Sequence, residues 1–453
     1  MIKKNKQPKA NYRFTPVQAI TASFLMVIVI GTFLLSLPIS SNSGHTNLSD
    51  AAFVATSSVC VTGLTTVNTA AHWSLFGRIV IMCLIEIGGM SFMLMTLIVV
   101  MFMRKKVNFQ ARLIFKESLN LGEYSGVLKL GLYVLKFSFV TQMIGTILFS
   151  FYFIPKHGVI NGLGHSVFHA ISAYCNAGFD LFGNSLEGVR TNSYFMLVVS
   201  GLIIAGGLGF VVWRDLLTWY KRRKMTLHTQ LTLRMTIIIL ISSFILFLLF
   251  ENNLQAYSDQ LTPFQRIVNT FFLAVTPRTA GFNSIPYADL SHASLLLTMM
   301  LMFVGGNSGS TAGGLKVSTL GVLLLHAWAT IKGKNRTVFH YRTIKQEIVM
   351  RAFALFFICV TITITATALL SVTEVIPREF GIEYVAFEVF SAFGTVGVTL
   401  GLTPHLTMIG KFVIMLLMFI GRVGVYTFLL SIAGRQRNNE GLIRYPEEHV
   451  MVG

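Results

Sequence analysis

Charge is what this chain has least of. Only 12% of its 453 residues are Asp, Glu, Lys or Arg, about half the share of a soluble domain. Acidic residues are scarcer still, 18 against 36 basic ones. Residues 17–38, 191–213 and 352–370 carry no charge at all. Stretches near 76–103, 126–154, 229–250 and 406–433 carry only isolated charges. Each is long enough for a membrane span, which needs roughly 20 apolar residues. Together with a mean hydropathy of +0.68, this excludes a water-soluble globule and predicts a multi-pass membrane protein. No small-residue cleavage site follows Leu37-Pro38, so the first stretch is expected to be a span rather than a removed leader.

Cysteine is also sparse. Cys60, Cys83, Cys175 and Cys359 show neither CxxC nor metal-ligand spacing, which argues against a zinc site or redox pair. They are expected to be free apolar thiols. No nucleophile stands at a useful spacing from a base, so an enzyme is not expected. His165 and His169, four apart, could offer two zinc ligands, but no third accompanies them, and packing is expected.

The basic residues are unevenly placed. Five fall in residues 1–13, six in each of 104–129, 214–234 and 332–351, and three in the tail. By the positive-inside rule these segments, and both termini, face the cytoplasm. The clusters are short and flank spans, so they read as topology and contact with lipid headgroups, not as a nucleic-acid surface. The cytosolic segments, near 104–125, 214–228, 332–347 and 434–453, are below the roughly 40 residues that can fold alone. The chain itself therefore offers no room for a cofactor or nucleotide domain. Any such sensing must come from another polypeptide, for which Arg444-Tyr445-Pro446-Glu447-Glu448 and the basic loops are docking candidates.

What the chain does have is repetition. Four glycine-centred stretches recur: Val61-Thr62-Gly63-Leu64, Asn176-Ala177-Gly178-Phe179, Thr279-Ala280-Gly281-Phe282 and Thr395-Val396-Gly397-Val398. Their glycines stand 115, 103 and 116 residues apart, a period that decides the fold before any local motif does. Each follows a short apolar segment: about Leu48–Ser58, Gly164–Tyr174, Pro263–Val275 and Ile382–Phe393. Segments this short read as re-entrant helices. Each is flanked by spans, and each returning span carries a marker: Gly88-Gly89, Gly206-Gly207, Gly305-Gly306 or Gly421-Arg422. The second residue of each marker lies 26, 29, 25 and 25 residues past the preceding signature glycine.

The expected fold is all-α and polytopic: about eight transmembrane helices and four re-entrant pore helices in four repeats around a pseudo-four-fold axis. The repeats are 1–106, 107–224, 225–334 and 335–435, followed by a tail at 436–453. In the third repeat alone the returning span is expected to break, across Gly305-Gly306-Asn307-Ser308-Gly309-Ser310-Thr311-Ala312-Gly313-Gly314. A helix there would lose about 1 kcal/mol per glycine relative to alanine. Irregular backbone at membrane depth is tolerated where it lines water or is buried in protein. Lys316 lacks the spacing of a phosphate-binding loop.

Four extended loops around one axis can replace an ion's hydration shell with backbone carbonyls. The expected filter comprises Cys60, Val61, Thr62 and Gly63; Asn176, Ala177 and Gly178; Thr279, Ala280 and Gly281; and Thr395, Val396 and Gly397. The only metal expected is potassium in that filter. Arg422, mid-span, must face a cavity or a partner. It is expected to hold the 305–314 loop by its carbonyls and form the gate, with an ion pair to Glu86 or Glu388 as the other reading. Arg278 either braces the third loop or charges the outer mouth. Asp180 either attracts cations or caps a helix. Glu86 contacts an ion, pairs with a basic residue or packs with a partner.

These motifs, with Phe168-His169-Ala170-Ile171-Ser172-Ala173, Thr276-Pro277-Arg278, Asn283 and Phe390-Ser391-Ala392-Phe393-Gly394, resemble the membrane subunit of the Trk/Ktr/HKT potassium transporter superfamily, most closely the bacterial KtrB/KtrD type. The resemblance runs nearly end to end. Its one visible departure is Cys60, where the family often has threonine. It implies potassium uptake across the cell membrane by a homodimer carrying a cytosolic ring of nucleotide-binding (RCK/KTN-type) regulatory subunits. Glycine at all four filter positions favours potassium, with sodium left as a candidate activator. The rival reading is a secondary carrier with a broken-helix substrate site.

Overall fold

A computed structural model describes residues 16–90, 127–334, 336–378 and 380–433. The first quarter of the chain holds α1 (Pro16–Ser36), α2 (Leu48–Cys60), α3 (Thr69–His72) and α4 (Leu75–Gly89). The second holds α5 (Val127–His157), α6 (Val159–Cys175), α7 (Ser193–Gly207) and α8 (Phe210–Arg222). The third holds α9 (Leu227–Phe250), α10 (Pro263–Val275), α11 (His292–Phe303) and α12 (Val317–Ile331). The fourth holds α13 (Gln346–Thr373), α14 (Glu383–Gly394), α15 (Met408–Val423) and α16 (Val425–Ala433). A two-residue hairpin, β1 (Val338–Phe339) and β2 (Arg342–Thr343), is the only sheet among the described residues. The continuation of α4, the expected cytosolic segment at 104–125, the boundary at 106 and the tail with Arg444 to Glu448 lie outside the described residues.

The long helices α1, α5, α9 and α13 form an outer ring. In their most apolar windows only 22–28% of residues are buried, although Leu25, Phe33, Phe139, Phe151, Ile364 and Val372 are all exposed. Apolar helices so little covered have lipid, not water, as their solvent. The short helices α2, α6, α10 and α14 form an inner ring. Their last turns are buried throughout, as at Ser57–Cys60, Ser172–Cys175, Phe272–Val275 and Ser391–Gly394. The third short helix has the expected bounds. It opens with a capping box between Thr262 and Gln265, with Pro263 in the first turn. The second starts five residues earlier than expected, because Gly158, at φ +76°, turns the chain straight out of α5. Asn47 is the N-cap of α2, but its side chain makes no capping bond.

The four returning helices start alike. Ser74, Asn192, Ser291 and Thr407 each accept a hydrogen bond from a first-turn backbone N–H. The third is broken as expected: α11 stops at Phe303 and α12 begins at Val317. The expectation that only this span breaks is corrected. α7 and α8 meet at 95°, and α15 and α16 at 103°. The hinges are Gly209 and Gly424, at φ +88° and +92°, a region that L side chains avoid. Four long helices and two bent pairs qualify as spans among the described residues. Of the two other expected spans, the third quarter's is split into the shorter α11 and α12, and the first quarter's lies only partly within the described residues.

One ion pair joins the two ends of the chain. Lys411 Nζ on α15 donates to Asp50 Oδ1 on α2 at 2.8 Å, with both side chains about 15% exposed. Replacing either by alanine is expected to destabilise the protein by about 1–3 kcal/mol, between the surface and buried limits. Thermal unfolding in detergent should show it, with the double variant costing less than the sum of the singles; purely additive losses would mean the pair contributes nothing.

Candidate ion pathway

Each signature loop carries the same backbone device, at the C-cap of the inner helix in the first, second and fourth quarters and three residues past the C-cap Thr276 in the third. The signature glycines Gly63, Gly178, Gly281 and Gly397 have φ of +97°, +69°, +80° and +99°. Two residues earlier, Val61, Asn176, Thr279 and Thr395 are also left-handed, at +56°, +61°, +74° and +52°. Sequence reasoning assigned positive φ to the glycines alone. Three of these four other residues are β-branched, for which the conformation costs about 1–3 kcal/mol each. A left-handed residue on either side of position 62, 177, 280 or 396 turns successive carbonyls toward one side. The only sequence signal for it was the four-fold recurrence itself.

The four loops meet. A Cβ built on Gly63 would lie 2.5 Å from Ala177 O, and one on Gly178 would lie 2.8 Å from Gly281 Cα. One on Gly281 would collide with Val396 O, and one on Gly397 with Thr62 O. Around the ring, each loop touches the next in chain order and the fourth closes on the first. The third also approaches the first across the ring, 3.3 Å from Gly281's built Cβ to Thr62 O.

Hydroxyls hold the loops from behind. Ser57 Oγ accepts from Gly63 N at 3.0 Å, and Ser391 Oγ accepts from Gly397 N at 3.1 Å. Ser172 Oγ donates to Phe179 O at 2.7 Å, and Thr276 Oγ1 donates to Phe282 O at 2.5 Å. The brace expected of Arg278 is thus supplied by Thr276. Arg278 is buried, and its Nε has no partner among the described residues. Thr62 Oγ1 and Thr395 Oγ1 are buried beside the ring without a hydrogen-bond partner among the described residues. Cys60 ends α2 as a free thiol, and Cys175 is likewise free.

The markers on the returning spans explain their register. A Cβ on Gly88, Gly206 or Gly421 would strike the carbonyl of Val59, Tyr174 or Phe393. Each glycine lets its span press on the last turn of its own quarter's inner helix. In the third quarter Gly305 meets Gly313 O instead, because the chain there has left the helix.

The 305–314 loop is hydrogen-bonded throughout its length. Gly305 N donates to Leu315 O at 2.9 Å and Leu315 N to Phe303 O at 3.2 Å. Asn307 N donates to Gly207 O at 3.0 Å, its Nδ2 to Leu208 O at 3.1 Å, and Phe210 N to Gly309 O at 2.8 Å. Arg422 donates from Nη1 to Thr311 O, and from Nη2 to Gly88 O and, at 3.1 Å, to Gly89 O. Among the described residues Arg422 makes no ion pair, since the only two are His292–Glu383 and Lys411–Asp50. Lys316, set aside in the sequence, donates to Ala312 O at 2.6 Å and Gly313 O at 3.2 Å. A cavity of about 690 Å³ lies against this assembly, lined by Gly88, Ser308, Gly309, Lys316, Arg351 and Arg422 among others.

The remaining polar candidates have ordinary partners. Glu86 Oε2 accepts from Gln142 Nε2 at 2.8 Å. Asp180 Oδ1 accepts from Phe182 N and Gly183 N at 2.8 and 2.7 Å, closing a turn. Glu187 accepts from Asn283 Nδ2 at 3.0 Å, tying the second outer loop to the third. Burial lifts the Glu187 carboxyl above its ordinary value, and Arg190 opposes the shift. No group of three metal-ligating side chains occurs among the described residues.

Comparison with known proteins agrees with this architecture. The chain is 53% identical over 443 residues to the potassium/sodium uptake protein NtpJ of Enterococcus hirae, covering 97% of this chain and 98% of that one. It is 38% identical to the Ktr system potassium uptake protein B of Bacillus subtilis, covering 97% of each. The crystal structure of the potassium transporter TrkH from Vibrio parahaemolyticus shares the fold, with a TM-score of 0.70 at 17% identity, over 94% of this chain and 86% of that one. A family model described as TrkH, cation transport protein, matches residues 2–440, and the chain belongs to that family.

Proposed function

We propose that this chain carries potassium into the cell through a filter of main-chain oxygens built from the four signature loops. One observation carries the reading: the four signature glycines, more than 100 residues apart in sequence, converge within contact distance of one another. The left-handed residues flanking positions 62, 177, 280 and 396 orient carbonyls for a stripped cation. The unpartnered oxygens of Thr62 and Thr395 suit such an ion. The inner helices aim their negative C-terminal ends at it. The names of the relatives, potassium/sodium uptake and potassium uptake, agree, and sodium enters as a second ion or an activator.

Arg422 with residues 305–314 forms the gate. The repeats follow 1–106, 107–224, 225–334 and 335–435. Both termini are cytoplasmic, the protein is a homodimer, and nucleotide control arrives through a separate cytosolic ring.

The test is cation flux from purified protein in liposomes, with and without a regulatory ring. A potassium flux that exceeds the sodium flux and changes with the ring is expected. A proton- or solute-coupled flux indifferent to the filter glycines would replace this reading with the carrier.

A further inference from the structure

Glu388 lies nine residues before Gly397, on α14, with no exposed surface. Its Oε2 accepts from Thr399 Oγ1 at 2.6 Å, and its Oε1 accepts from Thr403 Oγ1. Both threonines lie just past the signature glycine. Thr399 Oγ1 in turn accepts from Gly401 N at 2.9 Å. No cation pairs with the carboxyl among the described residues, and each of its two oxygens accepts from a threonine hydroxyl.

His169 occupies the same position in the second quarter, nine residues before Gly178. It too is buried. Its Nδ1 faces His165 O at 2.8 Å, which makes Nδ1 the donor and leaves Nε2 to accept from Leu181 N at 3.4 Å. In the first and third quarters the position is apolar, Val54 and Phe272, both fully buried. The loops touch in chain order, so the second and fourth quarters face each other. At this position a buried polar side chain grips the segment beyond the filter in one opposed pair of quarters, and an apolar side chain takes its place in the other.

We infer that Glu388 is a positioning residue for cation preference. By holding Thr399 and Thr403 it fixes the carbonyls of the fourth loop, and His169 supplies a weaker hold across the ring. Discrimination between potassium and sodium depends on how firmly the carbonyl set keeps its spacing and field. The inference rests on the filter reading above and deepens it.

The experiment measures the potassium-to-sodium flux ratio of the purified protein in liposomes. Glu388→Ala should lower the ratio at least tenfold. Glu388→Gln should lower it less, because its amide oxygen still accepts one hydroxyl. Thr399→Val with Thr403→Val should match Glu388→Ala and add nothing to it. His169→Ala should lower the ratio two- to threefold. A Glu388→Ala protein with reduced thermal stability and an unchanged ratio would overturn the inference, leaving Glu388 a packing residue. Should that variant fail to fold, Thr399→Val alone decides, an unchanged ratio counting against. Gly397→Ser separates the two levels: if it shifts the ratio and Glu388→Ala does not, only this inference falls, whereas if neither shifts it, the filter reading falls.

Discussion

Replacing Gly397 by serine should cut potassium uptake at least tenfold and lower the preference for potassium over sodium. Two costs coincide at this position. Its φ of +99° lies where only glycine is unstrained, and the added Cβ would strike Thr62 O of the neighbouring loop. A strained φ costs about 1–3 kcal/mol, and each 1.4 kcal/mol is about tenfold. Gly178→Ser should act in the same direction, through Gly281 Cα at 2.8 Å. Gly44→Ser is the control. Gly44 also has a positive φ, +71°, but a Cβ there meets nothing within 4 Å. Growth of a potassium-uptake-deficient strain at low potassium reads all three. Equal growth of Gly397→Ser and Gly44→Ser would mean that the ring of glycines is not the ion path.

The second large effect has the opposite sign. Arg422→Ala, or removal of residues 308–313, should raise flux in the absence of a regulator about tenfold or more. The guanidinium ties Thr311 of the loop to Gly88 and Gly89 of α4, so its loss frees the loop from the first quarter and, on the function proposed above, removes a positive charge from the cation path. Arg422→Lys should fall between, because one ammonium cannot span the same carbonyls as a planar fork. Lys316, bound to Ala312 O and Gly313 O, keeps part of the loop in place in both Arg422 variants, whereas the deletion removes these two partners. Flux through the purified single variants measures this directly. Unchanged flux in both Arg422→Ala and the 308–313 deletion would refute the gate.

Much of this was legible in the sequence, and the reasons are local. The third inner helix was found at both ends because Thr262-Pro263 and Gln265 announce its start. The break at 305–314 was legible because glycine, serine and asparagine disfavour a helix whatever surrounds them. The glycine signatures were legible through recurrence. The hinges at Gly209 and Gly424 were not, since a lone glycine in an apolar run also suits close helix packing. Nor were the left-handed Val61 and Thr395, which surrounding structure forces against their own preference. Long-range partners were the hardest. Arg422 and Gly88 are 334 residues apart, and Asn307 and Leu208 are 99 apart; only the closed ring brings them together. Arg422 donates to a loop carbonyl as expected, and the other reading, an ion pair with Glu86 or Glu388, does not occur among the described residues: the carbonyls of Gly88, Gly89 and Thr311 lie within its reach.

The hydrogen bonds from the loop to the α7–α8 hinge have a consequence for how conduction would start. Asn307 and Thr311 donate to Gly207 and Gly206, and Phe210 donates back to Gly309. The loop of the third quarter, the gate in the function proposed above, is thus latched to the second. Sliding it aside strands several donors and acceptors at once, each worth about 0.5–1.5 kcal/mol when satisfied, and partial displacement recovers none of them. Opening is then all-or-none, and single-molecule current records should show abrupt steps between two levels rather than a graded rise.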